Sequence, residues 1–264
     1  MARSRALLNV LNAVDAAAEE LPVDRQFLMD LKASIELQDK KDSRKPSQTY
    51  KPSSMNCIRN MYYQVTGAEG ISESMSSDFV GICQSGSDRH ERIQQSVCDM
   101  KGNGIDCEYV DVAEYVKEHN LTDLDVVKKS GYETKLYNKV YNMSFLCDGI
   151  IKYHGKYYIL EIKTETANKF WDQDGVQLDH YNQGIAYSLN FGIEDVIFVY
   201  ENRDNCMKKA YLFHVTDEMR AKLAGKIIEC DGYVTRKICP PKPANLSKKT
   251  CAYCGYAALC KLER

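Results

Sequence analysis

Several features common in other protein classes are scarce in this chain. No stretch comes near the roughly 20 consecutive apolar residues that a helix needs to cross a bilayer, which argues against a membrane protein. The N-terminal stretch MARSRALLNVLNAVDAAAEELP has a few basic residues and then apolar ones, but Asn9, Asn12, Asp15, Glu19 and Glu20 interrupt every segment that would serve as an export core. A cytoplasmic protein is therefore expected. Charge of one sign is also lacking: 35 basic residues stand against 37 acidic ones, a net charge of -2. No global field draws the chain to a polyanion, and any nucleic-acid surface must be a local patch. There is no internal repeat.

Cysteine, by contrast, is plentiful. Eleven thiols in a reducing compartment, an odd number, read as buried thiols or metal and cluster ligands rather than as disulfides. A length of 264 residues with 44% hydrophobic content suits one sizeable domain with additions, or two small ones.

Residues 4 to 39 have the apolar spacing of two helices separated at Pro22, an appendage of the kind that docks onto another protein or a second copy. QDKKDSRKPSQTYKPSSMN, charged and serine-rich with two prolines, suits an extended linker that ends on Ser53 or Ser54 as a helix cap. A short helix then runs to Gly67, and a longer one from about residue 75 closes at Gly102. A strand is expected around ETKLYNKVY, and a hairpin turning at His154-Gly155. A helix stopping at Gly192, the strands EDVIFVYE and KKAYLFHV, and a helix over DEMRAKLAGKIIECDGYV complete a mixed α/β core. From Pro240 onward the periodicity is lost, and prolines, lysines and three cysteines accumulate, as in a metal-stabilised tail.

The segment FLCDGIIKYHGKYYILEIKTET carries the chemistry. Alternation puts Glu161 and Lys163 on one face of a strand and Leu160 and Ile162 on the other. Folding back at 154-155 sets residue 148 opposite 161, so the carboxylates of Asp148 and Glu161 converge. Two carboxylates at close range repel unless a cation lies between them, and oxygen ligands select magnesium or manganese. A lysine beside such a site can orient water and offset charge in phosphodiester hydrolysis. The same trio also reads as a cross-strand salt bridge on a solvated face. His90 follows in a helix, and His180, Gln183 and Tyr187 share one face of the helix after the hairpin, where Gln and Tyr can contact a phosphate backbone or simply pack.

Cys251, Cys254 and Cys260 give three thiols over ten residues, and a closed site wants a fourth. The candidates are Cys57, Cys83, Cys98, Cys107, Cys147, Cys206, Cys230 and Cys239, and thiolate spacing alone does not separate zinc from an iron–sulfur cluster. Lys248, Lys249 and Lys261 flank these cysteines, Arg236 and Lys237 precede them, and Tyr253 and Tyr256 can stack on unpaired bases, or the whole is a solvated tail.

The order Cys57, His90, Asp148, Glu161-x-Lys163, Gln183-x3-Tyr187, Cys251-x2-Cys254-x5-Cys260 resembles the RecB-like branch of the PD-(D/E)XK nucleases. Within it, the resemblance is to the iron–sulfur exonucleases of CRISPR adaptation and their phage-encoded relatives. It runs in order from about Pro52 to Cys260, with Cys147 where the family's name has a proline. The resemblance implies a restriction-endonuclease-like core over 46–240, an N-terminal helical extension over 1–45 and a cysteine tail over 241–264, in a bacterial or phage-infected cell. It implies Mg2+ or Mn2+ held by His90, Asp148, Glu161 and the carbonyl of Ile162, with Lys163 assisting catalysis. Gln183 and Tyr187 would contact DNA, single-stranded or at duplex ends, or support Lys163; His180, on the same helix face, is placed with them toward DNA. It also picks Cys57 as the fourth ligand of a 4Fe–4S cluster, structural Zn2+ being the alternative. Stapling the tail to Cys57 would close a loop of nearly two hundred residues, which removes much entropy from the unfolded chain. The expected activity is a metal-dependent deoxyribonuclease, an exonuclease in recombination, repair or end processing. A non-catalytic DNA- or partner-binding accessory protein, or an inhibitor of a host nuclease complex, is the alternative.

Overall fold

His154 and Gly155 both adopt positive φ, 47° and 78°, a left-handed pair whose twist matches two antiparallel strands. The strands they join are Gly149–Tyr153 and Lys156–Glu165. Tyr153 pairs with Lys156 and Gly149 with Leu160, the register expected from the turn. The computed structural model describes residues 21–42, 47–70, 76–244, 246, 248–252 and 254–262.

In chain order the described elements are α1 (Val23–Asp42), α2 (Ile58–Val65), α3 (Ser77–Gly102), β1 (Cys107–Val110), α4 (Val112–Glu118), β2 (Leu124–Ser130), β3 (Glu133–Asn138), β4 (Met143–Cys147), β5 (Gly149–Tyr153), β6 (Lys156–Glu165), α5 (Ala167–Asp172), α6 (Leu178–Phe191), β7 (Asp195–Asn202), β8 (Lys208–His214), α7 (Asp217–Arg236), α8 (Lys248–Ala252) and α9 (Ala257–Leu262). Among these, no helix is long and apolar enough to cross a membrane.

The chain divides into two compact units, residues 1–43 with 74–82, and residues 44–73 with 83–264. Within the first, Lys32 and Asp78 form an ion pair at 3.6 Å and the N–H of Ser77 donates to Glu36 Oε1 at 3.0 Å. The earlier of the two helices expected over 4 to 39 lies outside the described residues.

The second unit is the anticipated α/β core. Its main sheet has the order β1-β5-β6-β7-β8, with β6 and β7 parallel and the other neighbours antiparallel. A second sheet, β2-β3-β4, is antiparallel throughout. Leu160 and Ile162 pack with Ile151 and with Ile93 of α3. Ile159 belongs instead to the larger core that holds Phe198, Tyr200, Ile185, Ala186 and Phe191, with Leu223 and Ile227 of α7. The main sheet is thus covered by α3 on one face and by α6 and α7 on the other. Gly184 lets α6 approach closely, since a Cβ there would lie 3.1 Å from the ring of Phe198.

Two expectations need correction. Tyr50, placed in an extended linker by its charged, proline-bearing surroundings, is fully buried. Its backbone exchanges hydrogen bonds with Asn142 and Ser144, and its hydroxyl donates to Asp231 Oδ1 at 2.7 Å. Neither Ser53 nor Ser54 caps α2: both lie in a 3-10 turn, Pro52–Ser54, and the residue at the cap is Cys57.

The β7 end of the core holds a buried carboxylate, Glu201, between Arg92 at 2.6 Å, Arg89 at 2.9 Å and Lys208 at 3.0 Å. Burial alone would raise its pKa, but hydrogen bonds from Arg92, Lys208 and Arg89 outweigh burial and hold it below the ordinary carboxylate range. A depressed folded pKa contributes stability that is present above the unfolded value of about 4.3 and disappears as pH falls through the folded pKa. Glu201→Gln is therefore expected to cost about 2 kcal/mol at pH 7, since it removes the charged acceptor of three cationic donors. In urea unfolding followed from pH 7 down to pH 3, the gap between parent and variant should narrow; a constant gap would contradict the assignment.

Candidate active site

Asp148 occupies the single-residue step between β4 and β5, where the chain passes from the smaller sheet to the larger. Its backbone is clamped: Gln94 Nε2 donates to its carbonyl at 2.6 Å and the Tyr109 hydroxyl at 2.5 Å. Only glycine suits the next position, because a Cβ on Gly149 would lie 2.7 Å from the Tyr109 ring. The carboxylate, 7% exposed, accepts from the N–H of Ile162 through Oδ2 at 2.7 Å and lies 3.3 Å from His90 Nδ1 through Oδ1.

Ile162 is the residue between Glu161 and Lys163, so the same hydrogen bond anchors that pair beside Asp148. Glu161 is 2% exposed, and Lys163 Nζ stands 2.5 Å from its Oε1. Burial at this depth excludes the solvated-face salt bridge that the sequence left open. Gln183, one helical turn from Tyr187 on α6, completes the arrangement. Its Oε1 accepts from Lys163 at 2.9 Å, and its amide nitrogen donates to Glu161 Oε1 at 2.5 Å and to the Tyr187 hydroxyl at 2.8 Å. Tyr187, itself buried, donates to the carbonyl of Leu146 at 2.8 Å. Gln183 and Tyr187 are thus occupied in holding the Glu161–Lys163 pair. Within this arrangement Glu161 Oε2 is buried and has no hydrogen-bond partner among the described residues.

The charges follow from this packing. Burial pushes the Glu161 carboxyl up to about 7, with the neighbouring Asp148 adding to burial and Lys163 opposing it. Burial works against the Lys163 ammonium, but Glu161 and Asp148 offset it and its pKa is raised. His90 likewise loses to burial, but its hydrogen bond to Asp148 and the charges of Asp148 and Glu161 together outweigh that loss, so its pKa is also raised.

Sequence reasoning missed Glu133. Thr134 pairs with Cys147 across β3 and β4, which sets the preceding residue, Glu133, across from Asp148. Ligand atoms of His90, Glu133 and Asp148 all lie within 4.8 Å of one another. Burial, then the charge of Asp148, raises the Glu133 carboxyl. The strand ETKLYNKVY was legible, but its register against Met143–Cys147 was not, and register is what assigns Glu133 to the site. Glu161 lies outside this group of three.

These residues fit a divalent cation. Carboxylate oxygens and one imidazole suit magnesium or manganese. Three carboxyls are gathered in a largely buried place, two of them with raised pKa, and one has an oxygen with no donor. A divalent ion among His90, Glu133 and Asp148 would offset the charge gathered there.

His180 is part of a different set of contacts. Its Nδ1 is 2.9 Å from the Tyr200 hydroxyl and its ring stacks on Tyr200. Burial, then Lys163 and Lys169, lowers its pKa to about 3, so the ring is neutral. His180 nevertheless lines one cleft with Lys163, Gln183, Cys57 and Cys254.

Cys57, Cys251, Cys254 and Cys260, all free and half-buried, line one cavity of about 280 Å3. Burial raises the Cys254 thiol, with Cys57, Cys251 and Cys260 adding to it. No three of these sulfurs lie within 4.8 Å of one another among the described residues. Tyr256 packs against Tyr63 beside this cavity, ring centroids 5.4 Å apart. Tyr253 and the side chains of Lys248 and Lys249 lie outside the described residues.

No family model matches the chain, and no curated protein does. Among solved structures it is similar to the crystal structure of SSO0001, at 18% identity and a TM-score of 0.47, over 90% of this chain and 96% of that one. It is also similar to an alkaline exonuclease, LHK-Exo, from Laribacter hongkongensis, at 13% identity and a TM-score of 0.43, over 73% of this chain and 90% of that one. The complex of LHK-Exo with dAMP gives 13% identity and a TM-score of 0.41, over 72% of this chain and 89% of that one.

Proposed function

We infer that the protein is a divalent-metal-dependent deoxyribonuclease, an exonuclease acting on DNA ends, whose cysteine tail carries an iron–sulfur cluster. What carries the hydrolytic reading is one observation: Asp148, Glu161 and Lys163 converge through the Asp148–Ile162 bond, with a buried oxygen of Glu161 left without a protein donor. A non-catalytic binding module has no need of such a set. The preference for DNA ends comes from the motif order shared with the RecB-like exonucleases.

In this reading His90, Asp148, Glu133 and Glu161 hold Mg2+ or Mn2+, with the carbonyl of Ile162 a further ligand. The bound ion supplies Lewis-acid stabilisation and a water of lowered pKa. Lys163, charged and held between Glu161 and Gln183, orients the attacking water and offsets negative charge growing on the phosphoryl oxygens. Gln183 and Tyr187 act as positioning residues for Lys163. His180, neutral, forms part of the wall along which the strand passes. The nuclease core spans 46–240, and residues 1–45 serve as a docking appendage for a protein partner or a second copy.

The choice of a cluster over a single zinc ion at Cys57, Cys251, Cys254 and Cys260 rests on the motif order shared with the iron–sulfur exonucleases, and structural Zn2+ is the alternative.

Purified protein with Mg2+ or Mn2+ should degrade end-labelled linear DNA and spare a covalently closed circle. Asp148→Ala and Lys163→Ala should each lower the rate on the order of a hundredfold or more. No cleavage by the parent protein would favour the accessory reading, and cleavage of the circle would remove the preference for ends. Glu133→Gln should weaken Mn2+ binding about tenfold in calorimetric titration; unchanged affinity would exclude it as a ligand. Because Glu161 must give up its proton to bind a cation and its pKa is about 7, Mn2+ affinity should fall as pH drops below 7, and a flat profile from pH 6 to 8 would oppose its role as ligand.

A further inference from the structure

Arg59, in the first turn of α2, is 9% exposed and lines the cysteine cavity. Its Nε donates to the carbonyl of Pro240 at 2.7 Å, and its Nη1 lies 3.2 Å from both the carbonyl and the Sγ of Cys260. Among the described residues no carboxylate pairs with it. A guanidinium keeps its charge in any protein environment, and a buried charge without a counter-charge is costly. Two carbonyl dipoles and a neutral thiol orient the group but do not neutralise it.

Four thiolates would. Their charge outweighs that of zinc or of an iron–sulfur core, so a centre bound by Cys57, Cys251, Cys254 and Cys260 is anionic. The neighbouring Asn60 also points a donor at a ligand, with Nδ2 3.6 Å from Cys254 Sγ. Consecutive residues of α2 therefore reach sulfurs of two different cysteines, one with a full charge and one with a dipole.

We propose that Arg59 is the fixed counter-charge of an anionic cysteine-bound centre and, if that centre is the iron–sulfur cluster inferred above, the residue that sets its reduction potential. Charge and hydrogen bonds near the sulfurs are the levers that tune such potentials. A guanidinium 3.2 Å from a ligand sulfur favours the reduced, more negative state. The inference rests on the reading of the four cysteines, and the experiment separates the two.

Iron and acid-labile sulfide content of the full-length protein, purified without air, tests the cluster itself. The Arg59 inference is then tested in Arg59→Lys, which keeps the charge, and Arg59→Gln, which keeps a donor but loses the charge. In a potentiometric titration with dithionite, Arg59→Gln should make one-electron reduction at least tenfold less favourable, 59 mV for a one-electron couple, and Arg59→Lys should stay within threefold of the parent. Arg59→Gln with a full cluster and the parental potential overturns the proposal. If Arg59→Gln assembles no cluster, a loaded Arg59→Lys with the parental potential supports it, and failure of both variants alike marks Arg59 as a brace for the tail and overturns it. Zinc without iron in the parent overturns the cluster but not the counter-charge. Zinc release to a chelator should then be at least tenfold faster in Arg59→Gln than in Arg59→Lys, and equal rates overturn the inference. No metal at the cysteines overturns both.

Discussion

The carboxylate of Asp148 accepts from the peptide N–H of Ile162, and that bond ties the start of β5 to a definite residue of β6. Strand alternation then does the rest: with Ile162 turned toward α3, Glu161 and Lys163 must turn toward α6. A slip of one residue would send both charged groups to the other face and bury Leu160 and Ile162 in their place. The tight turn at His154-Gly155 and the clamp on the Asp148 backbone both oppose such a slip. Register, elsewhere a matter of packing, is here a matter of chemistry.

A buried polar network is stable only when its members are satisfied. On the α6 side nearly every group is: Lys163, Gln183 and Tyr187 form a hydrogen-bonded chain that ends on the carbonyl of Leu146. That chain and Glu161 hold the ammonium from the protein side. The exception, Glu161 Oε2, is therefore a departure that its surroundings could have corrected with one more donor. Functional sites are where such local violations are expected to persist.

Much of this was legible in the sequence, for reasons that differ by residue. Glu161 and Lys163 followed from a two-residue period, and Asp148 from a turn whose glycine announced itself. Helices ending at Gly67, Gly102 and Gly192 were readable because glycine punctuates helix ends. Glu133 was not readable, because its place depends on the pairing of β3 with β4 and no turn signal as strong as His-Gly fixes it. β2 escaped notice because most of its residues, Val126 and Val127 included, are exposed and show no alternation. Tyr50 was hidden by composition: a single core anchor in a charged, proline-bearing stretch leaves no periodic trace. Gln183 and Tyr187 were found by spacing, and support of Lys163 was one of the two roles the resemblance implied; the hydrogen bonds that link them to it required coordinates.

The second unit holds two electrostatic imbalances of opposite sign. Near Asp148, three carboxyls face one ammonium, Lys163, and one imidazole, His90, and an oxygen of Glu161 has no donor; near Cys260, a buried guanidinium has no carboxylate partner among the described residues. Either alone would weaken the fold, since uncompensated buried charge is among the costlier defects a core can carry. Their chemistry separates what each calls for. Oxygens and an imidazole suit a hard divalent cation, whereas thiols beside a guanidinium suit a centre whose thiolates carry net negative charge. Lys163, Gln183 and His180 share one cleft with Cys57 and Cys254, and those two cysteines also line the cavity beside Arg59.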